Sequence, residues 1–316
     1  MIHFRYHLVS IVAVLLALGI GIVLGSGFLG GVLWERLQTD VQRVAADNDE
    51  LRAQMLEQGR TLAAYEEFAR QAEADVIGSS LAGREIVLFT MEGTDEGTLA
   101  GLREGVEIAG GSVVSVVRAS ARLDLAAPED RSELALTLGA TERSPSELRR
   151  ELGIAIGSAA AAAASIDTTP RGADPDDVLE ALLTRLAEQG FLSVESAPGE
   201  GAVPPLGLFL VVEGSAANPP LRPLNYTRAL ATNLAQRDAD VLVAEPSSSV
   251  WGVVGHLRED SRALETVSTV DHAETVPGRV AVVLGLSRAA RGRVGHFGTG
   301  PGAEDGLMPL PVPLAG

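Results

Sequence analysis

Residues 8–34 carry no charged side chain, and this run constrains what the rest of the chain can be. A helix crossing a bilayer core needs about 20 apolar residues at a rise of about 1.5 Å each. Residues 8–34 meet that length, and no other stretch of the sequence does. A cleaved signal peptide has an apolar region of about 7–15 residues and an A-x-A-like site, and this run is longer and lacks one. The sequence therefore predicts an uncleaved anchor, with its short tail, over residues 1–34. Arg5 precedes the run and Arg36 and Arg43 follow it among acids, so the basic residues alone leave orientation open. A tail this short reads as a signal anchor, with the C-terminal part outside the cytoplasm of the inner (plasma) membrane. Gly21 and Gly25 are four apart, as are Gly27 and Gly31, a spacing that lets two helices approach closely in lipid. His3 and His7 could share a helix face, but beside Phe4 and Tyr6 they read as interfacial residues rather than metal ligands.

A second pattern begins where the first ends. Trp34, Leu37, Val41, Val44, Asn48, Leu51, Met55, Gln58, Leu62, Tyr65, Ala69, Ala72 and Val76 fall on alternating three- and four-residue steps. That is the seam of a coiled coil, broken by two polar residues. Asn48 at an a position favours a two-stranded parallel state, and Asp47 can reach Arg52 of a partner helix. Residues 35–77 are thus expected to form a coiled-coil stalk joining two copies in a parallel homodimer.

Beyond residue 78, Val- and Leu-rich runs alternate with helical stretches. Residues 85–91 (EIVLFTM) and 112–119 (SVVSVVRA) read as strands flanking a helix over 95–109, a parallel unit with a right-handed crossover. Helices are expected near 128–138, 145–165 and 174–189. A second unit has strands at 206–213 and 240–244 around a helix at 225–236, followed by a helix near 248–258, a strand at 266–270 and a helix at 277–290. The expected fold is an α/β head over 84–294 with a mostly parallel, doubly wound sheet. It could be one sheet or two βαβ halves, 84–195 and 206–294. Residues 295–316, rich in Gly and Pro, read as an irregular tail.

The chemistry is sparse. Asp and Glu number 42 against 25 basic residues, all Arg, giving a formal net charge of −17 that argues against nucleic-acid binding. There is no Cys, hence no disulfide, thiolate metal site or Cys nucleophile. The turn after the first strand, residues 92–97 (EGTDEG), has acids where a phosphate would sit and no nucleotide-binding fingerprint. The turn at 213–220 also fails that test. Asp271 and His272 follow a short strand, at the end where α/β sheets place ligands, and His296 lies nearby in sequence. These three are the candidate head site. A triad with Ser268 can be drawn, but no G-x-S-x-G elbow supports it, and no catalytic residue or metal ligand is assigned. Copper(I) prefers sulfur ligands, and Met1, Met55, Met91 and Met308 are scattered.

The opening MIHFRYHLVSIVAVLLALGIGIVLGS and the stretches STVDHAETVPGRVAVVLGL and RGRVGHFGTG resemble the actinobacterial copper-transport protein B (MctB) family, which includes SteB-like cell-separation proteins. The resemblance implies either copper homeostasis or cell separation. The second role would bring a cytoplasmic SteA-like partner and an extracytoplasmic peptidoglycan hydrolase. A single apolar span cannot form a pore unless many copies assemble. The residues alone therefore favour a non-enzymatic dimeric scaffold that binds envelope partners, without a cofactor. A copper transport or efflux component is the alternative.

Overall fold

The computed structural model describes residues 2–141, 144–165, 174–196, 207–214 and 224–310; within the first helix the side chains of residues 2–3 and 26–36 are not included. The chain divides into two units, Met1–Glu67 and Phe68–Gly316.

Helix α1 spans Ile2–Ile77. It contains no proline, and it ends where Gly78 adopts φ +50°, the left-handed conformation that commonly stops helices. In the first unit, Phe4–Gly25 is long and apolar enough to cross a membrane, by length and composition. None of that segment is buried within the chain. Residues 26–34 of the expected span, with Gly27, Gly31 and Trp34, lie outside the described side chains. Gly21 and Gly25 face open space. Leu37, Val41, Val44, Asn48, Leu51, Met55, Leu62 and Tyr65 are all exposed. A seam is buried only by a second helix, so the expected coiled coil is not present in the single chain.

The second unit is built on one seven-stranded sheet. In chain order its elements are β1 (Glu85–Met91), α2 (Glu96–Ile108), β2 (Ser112–Ala119), a 3-10 turn (Ala121–Asp124), α3 (Pro128–Leu138), α4 (Pro145–Ala164), α5 (Pro175–Glu188), β3 (Leu192–Ser196), β4 (Leu208–Val212), α6 (Leu224–Ala235), β5 (Val241–Glu245), α7 (Val253–Glu259), α8 (Ser261–Thr266), β6 (Ser268–Asp271), α9 (Val276–Ala289) and β7 (His296–Phe297). The strand order is β3-β2-β1-β4-β5-β6-β7, parallel except for β3 against β2. The two expected halves therefore share a sheet, joined where β1 pairs with β4 and Phe89 stacks on Phe209 at 6.2 Å. The stretch read as an irregular tail supplies the last strand, β7.

Alternate residues of each strand enter different cores, as a period-2 backbone requires. Val87, Phe89, Val211 and Val243 pack with α3 through α8, while Ile86, Leu88, Leu210 and Leu242 pack with α2, α9 and Ile77. Burying each such side chain stabilises by about 1.5–3 kcal/mol. On the first face, α4 lies so close to α6 that a Cβ at Gly157 would stand 2.9 Å from the Leu230 carbonyl. The small residues Gly153, Gly157, Ala160 and Ala164 permit that approach. Ser144 and Glu147 form a capping box that starts α4. On the second face, Glu73 in the final turns of α1 is buried and accepts from Arg279 Nε at 3.2 Å and from a terminal guanidinium nitrogen at 2.9 Å.

Candidate functional site at the carboxyl edge of the sheet

Four neighbouring parallel strands end on a carboxylate. Glu92 follows β1 and Glu213 follows β4, while Glu245 closes β5 and Asp271 closes β6. The register aligns them: Val212 pairs with Ala244, one residue before Glu245, and Glu245 pairs with Asp271. This is the edge where open α/β sheets bind ligands, and the β1–β4 boundary is where the strand order reverses.

Each carboxylate already has a local donor. Glu92 Oε2 accepts from the Ala121 N–H at 2.7 Å. Glu245 accepts from Ser249 Oγ and from the Val254 N–H at 2.9 Å. Asp95 caps α2 through the Thr98 N–H at 2.7 Å, so an acid stands where a nucleotide phosphate would bind. Glu213 is almost fully buried and accepts from the Thr227 hydroxyl, while its Oε1 has no partner among the described residues. Burial pushes its pKa up to about 8; the Thr227 bond opposes this and nearby Glu245 adds to it. The hydroxyls of Thr90 and Thr94 are likewise buried without partners among the described residues. Residues 215–223, most of the second expected turn, lie outside the described residues.

Asp271 sits in the densest network. It accepts from a terminal guanidinium nitrogen of Arg258 at 2.6 Å, from the Thr299 N–H at 2.8 Å, from the Gly300 N–H, and from His272 Nδ1. Burial works to raise its pKa; Arg258, Thr299 and His272 outweigh it and hold the carboxyl below its ordinary value. The buried Arg258 also donates to Thr269 Oγ1 at 2.9 Å and to the carbonyls of Phe297 and Pro301. Residues 298–302 (GTGPG) wrap this pair. A Cβ at Gly298 would collide with the Asp271 carboxylate, and one at Gly302 would press on the Arg258 stem at 3.0 Å. Gly298 also has φ +129°, open only to glycine at low cost.

The structure thus brings Asp271 and His272 into direct contact and ties His296 in at one remove. His296 Nε2 faces the Leu264 carbonyl at 2.8 Å, so it carries the proton, and Nδ1 accepts from Thr269 at 2.8 Å. Both ring nitrogens are used and the ring is buried, which makes His296 a structural residue with no lone pair for a ligand. His272 is more accessible, but Thr299 Oγ1 lies 3.3 Å from both its ring nitrogens, beside the ring rather than in line with either. That is poor geometry for proton transfer from an attacking hydroxyl. Among the described residues, no three His, Asp, Glu or Cys side chains are grouped to hold a metal ion. Sequence reasoning missed Arg258, Thr269 and Thr299, because a lone Arg or Thr in a helix or loop gives no local signal of burial. The carboxylates ending three Val/Leu runs, in VVEG, VAEP and TVDH, were visible, but their alignment needed the strand order.

Comparison with known proteins adds the family. The model described as "Copper transport outer membrane protein, MctB" matches residues 1–309. A protein named copper transporter MctB from Mycobacterium tuberculosis is 30% identical over 320 residues, covering 96% of this chain and 98% of that protein. One of the same name from Mycobacterium leprae is 26% identical, covering 98% of this chain and 100% of that protein. These relatives carry the copper name rather than a cell-separation one, so the alternative reading of the sequence fits them better than the scaffold reading. The chain belongs to the MctB family.

Proposed function

We propose that this protein is a membrane-anchored component of copper transport whose α/β head works outside the cytoplasm, on a single inner-membrane helix. The observation that carries the reading is full-length similarity to proteins named copper transporters, from the apolar helix through β7. Copper is the cargo here. Copper(I) prefers sulfur, and the chain has no Cys, with Met55 exposed on α1 and Met91 sealed in the head. The head therefore organises transport without a tight copper(I) site of its own and acts by binding rather than by catalysis. The exposed seam of α1 pairs with a second copy, with Asn48 setting a parallel dimer.

The deciding experiment measures cellular copper and copper tolerance in cells without the protein, with the full chain restored, and with residues 1–34 deleted. Copper content and tolerance should change on loss and recover only with the full chain. Equal copper content and tolerance in all three would overturn the reading. Asn48→Cys provides the assembly test, since the native chain has no Cys to interfere. Crosslinking between identical positions in membranes is expected, and its absence would refute the parallel dimer.

A further inference from the structure

The second unit has a cleft unrelated to the carboxyl edge of the sheet. It has a volume of about 160 Å³ and is lined by Ile77, Ser80, Leu284, Arg288, Arg291 and Leu310, among others. Its size is close to that of an engineered apolar cavity of about 150 Å³ that takes up benzene, so it holds one apolar side chain. Leu310 on its rim is 81% exposed.

The chain has a net charge of −17, yet Arg288 in the last turn of α9 and Arg291 just after it both line the cleft. Among the described residues, neither Arg288 nor Arg291 has a carboxylate within ion-pair distance, unlike Arg258 and Arg279 in the same unit. The Arg288 guanidinium leans over the Phe297 ring at 5.7 Å, which fixes it beside the cleft. Arg288 Nε and Ser80 Oγ are buried without hydrogen-bond partners among the described residues. Two unused donors and the guanidinium groups of Arg288 and Arg291 thus line a largely apolar hollow. A helix C-terminus accounts for one favourable cation in its last turn, but not for the unfilled hollow beside it.

We propose that this cleft docks an acidic segment of a partner protein, one apolar side chain entering the hollow while flanking carboxylates pair with Arg288 and Arg291. Arginine at the edge of a desolvated pocket is the composition of an interface anchor site. Charge complementarity selects the occupant: a short acidic stretch with one leucine or phenylalanine satisfies both the hollow and the guanidinium groups of Arg288 and Arg291. A lipid tail needs more room than one side chain.

The test uses the full chain in neutral detergent micelles and a fluorescent peptide with one leucine flanked by glutamates, read by anisotropy. Binding should weaken at least tenfold with Arg288→Glu plus Arg291→Glu, and also with Leu310→Asp, whose exposed side chain is free of the core. It should weaken as much when serine replaces the peptide's leucine, and fall with added salt. Four results would overturn the proposal: no binding; equal binding of a lysine-flanked peptide; binding indifferent to all three substitutions; or displacement of the peptide by short-chain phosphatidylglycerol below its micellar concentration. A tenfold gain on removing residues 311–316 would also overturn it, because the chain's own end would then be the occupant.

Discussion

Leu51 and Leu210 are the same residue type in opposite circumstances. Leu51 is 59% exposed on α1, and Leu210 is 1% exposed in the sheet. The contrast holds across their units. In the head, nearly every Val and Leu of β1, β4 and β5 is buried against helices of the same chain. In the first unit, the apolar side chains of Phe4–Gly25 and of the described seam residues are all exposed. The head satisfies its apolar surface internally, whereas the first unit leaves its own exposed. Periodicity reveals which residues require burial; what buries them depends on whether the chain supplies the second surface.

Substitutions in the two units test the contrast. Asp271→Ala should have the largest effect, destabilising the head by about 3–5 kcal/mol, because it leaves the Arg258 charge buried and unpaired. Denaturant titration of the full chain would measure this, and a loss under 1 kcal/mol would show that solvent reaches Arg258. Asp271's own contribution has an acid limit: with its pKa lowered in the folded state, it is lost as pH falls through that value. Leu210→Ala should follow, at about 2–5 kcal/mol for a buried leucine.

Glu213 gives an effect of opposite sign along the pH axis. Its carboxyl titrates near 4.5 when unfolded and about 8 when folded, so the folded state holds an extra proton between those values. Stability from this group is full below about pH 4.5 and declines as pH rises towards 8, by an amount on the order of a few kcal/mol. Glu213→Gln should flatten that decline in melts from pH 5 to 8.5. An unchanged slope would assign the pH dependence to other groups. Ser144→Ala, removing one half of the α4 capping box, should cost about 1 kcal/mol. At the small end, Leu51→Ala should leave the head's own unfolding within about 0.5 kcal/mol of the wild type. A larger shift would mean that the seam packs on the head of its own chain.

How much of this was legible beforehand follows from the same physics. Continuous Val/Leu runs announced β1, β2, β4 and β5, and Gly or Pro punctuated the helices between them. β3, with LSVES largely exposed at the sheet edge, carries no such run. β7 is two residues long inside a glycine-rich stretch, and its place is set by a hydrogen-bonded loop rather than by propensity. α8 is six residues capped by Asp260, too short for a periodic signal. Asp271 and His272, singled out in the sequence, lie together at the end of β6. His296 looked equally available because a sequence shows the imidazole and not the carbonyl and hydroxyl that occupy it.

The ion pair between Glu73 and Arg279 has a mechanical consequence. The last turns of α1 do not lead into the head through a slack tether: Glu73 is held by two hydrogen bonds, and Ile77 is embedded among the side chains of α2 and α9. In the vocabulary of beams, this end of the helix is built in rather than pinned. A pull or twist applied to residues 68–77 is therefore delivered to α9, whose N-cap Thr275 bonds the His272 carbonyl, instead of being absorbed by a swivel.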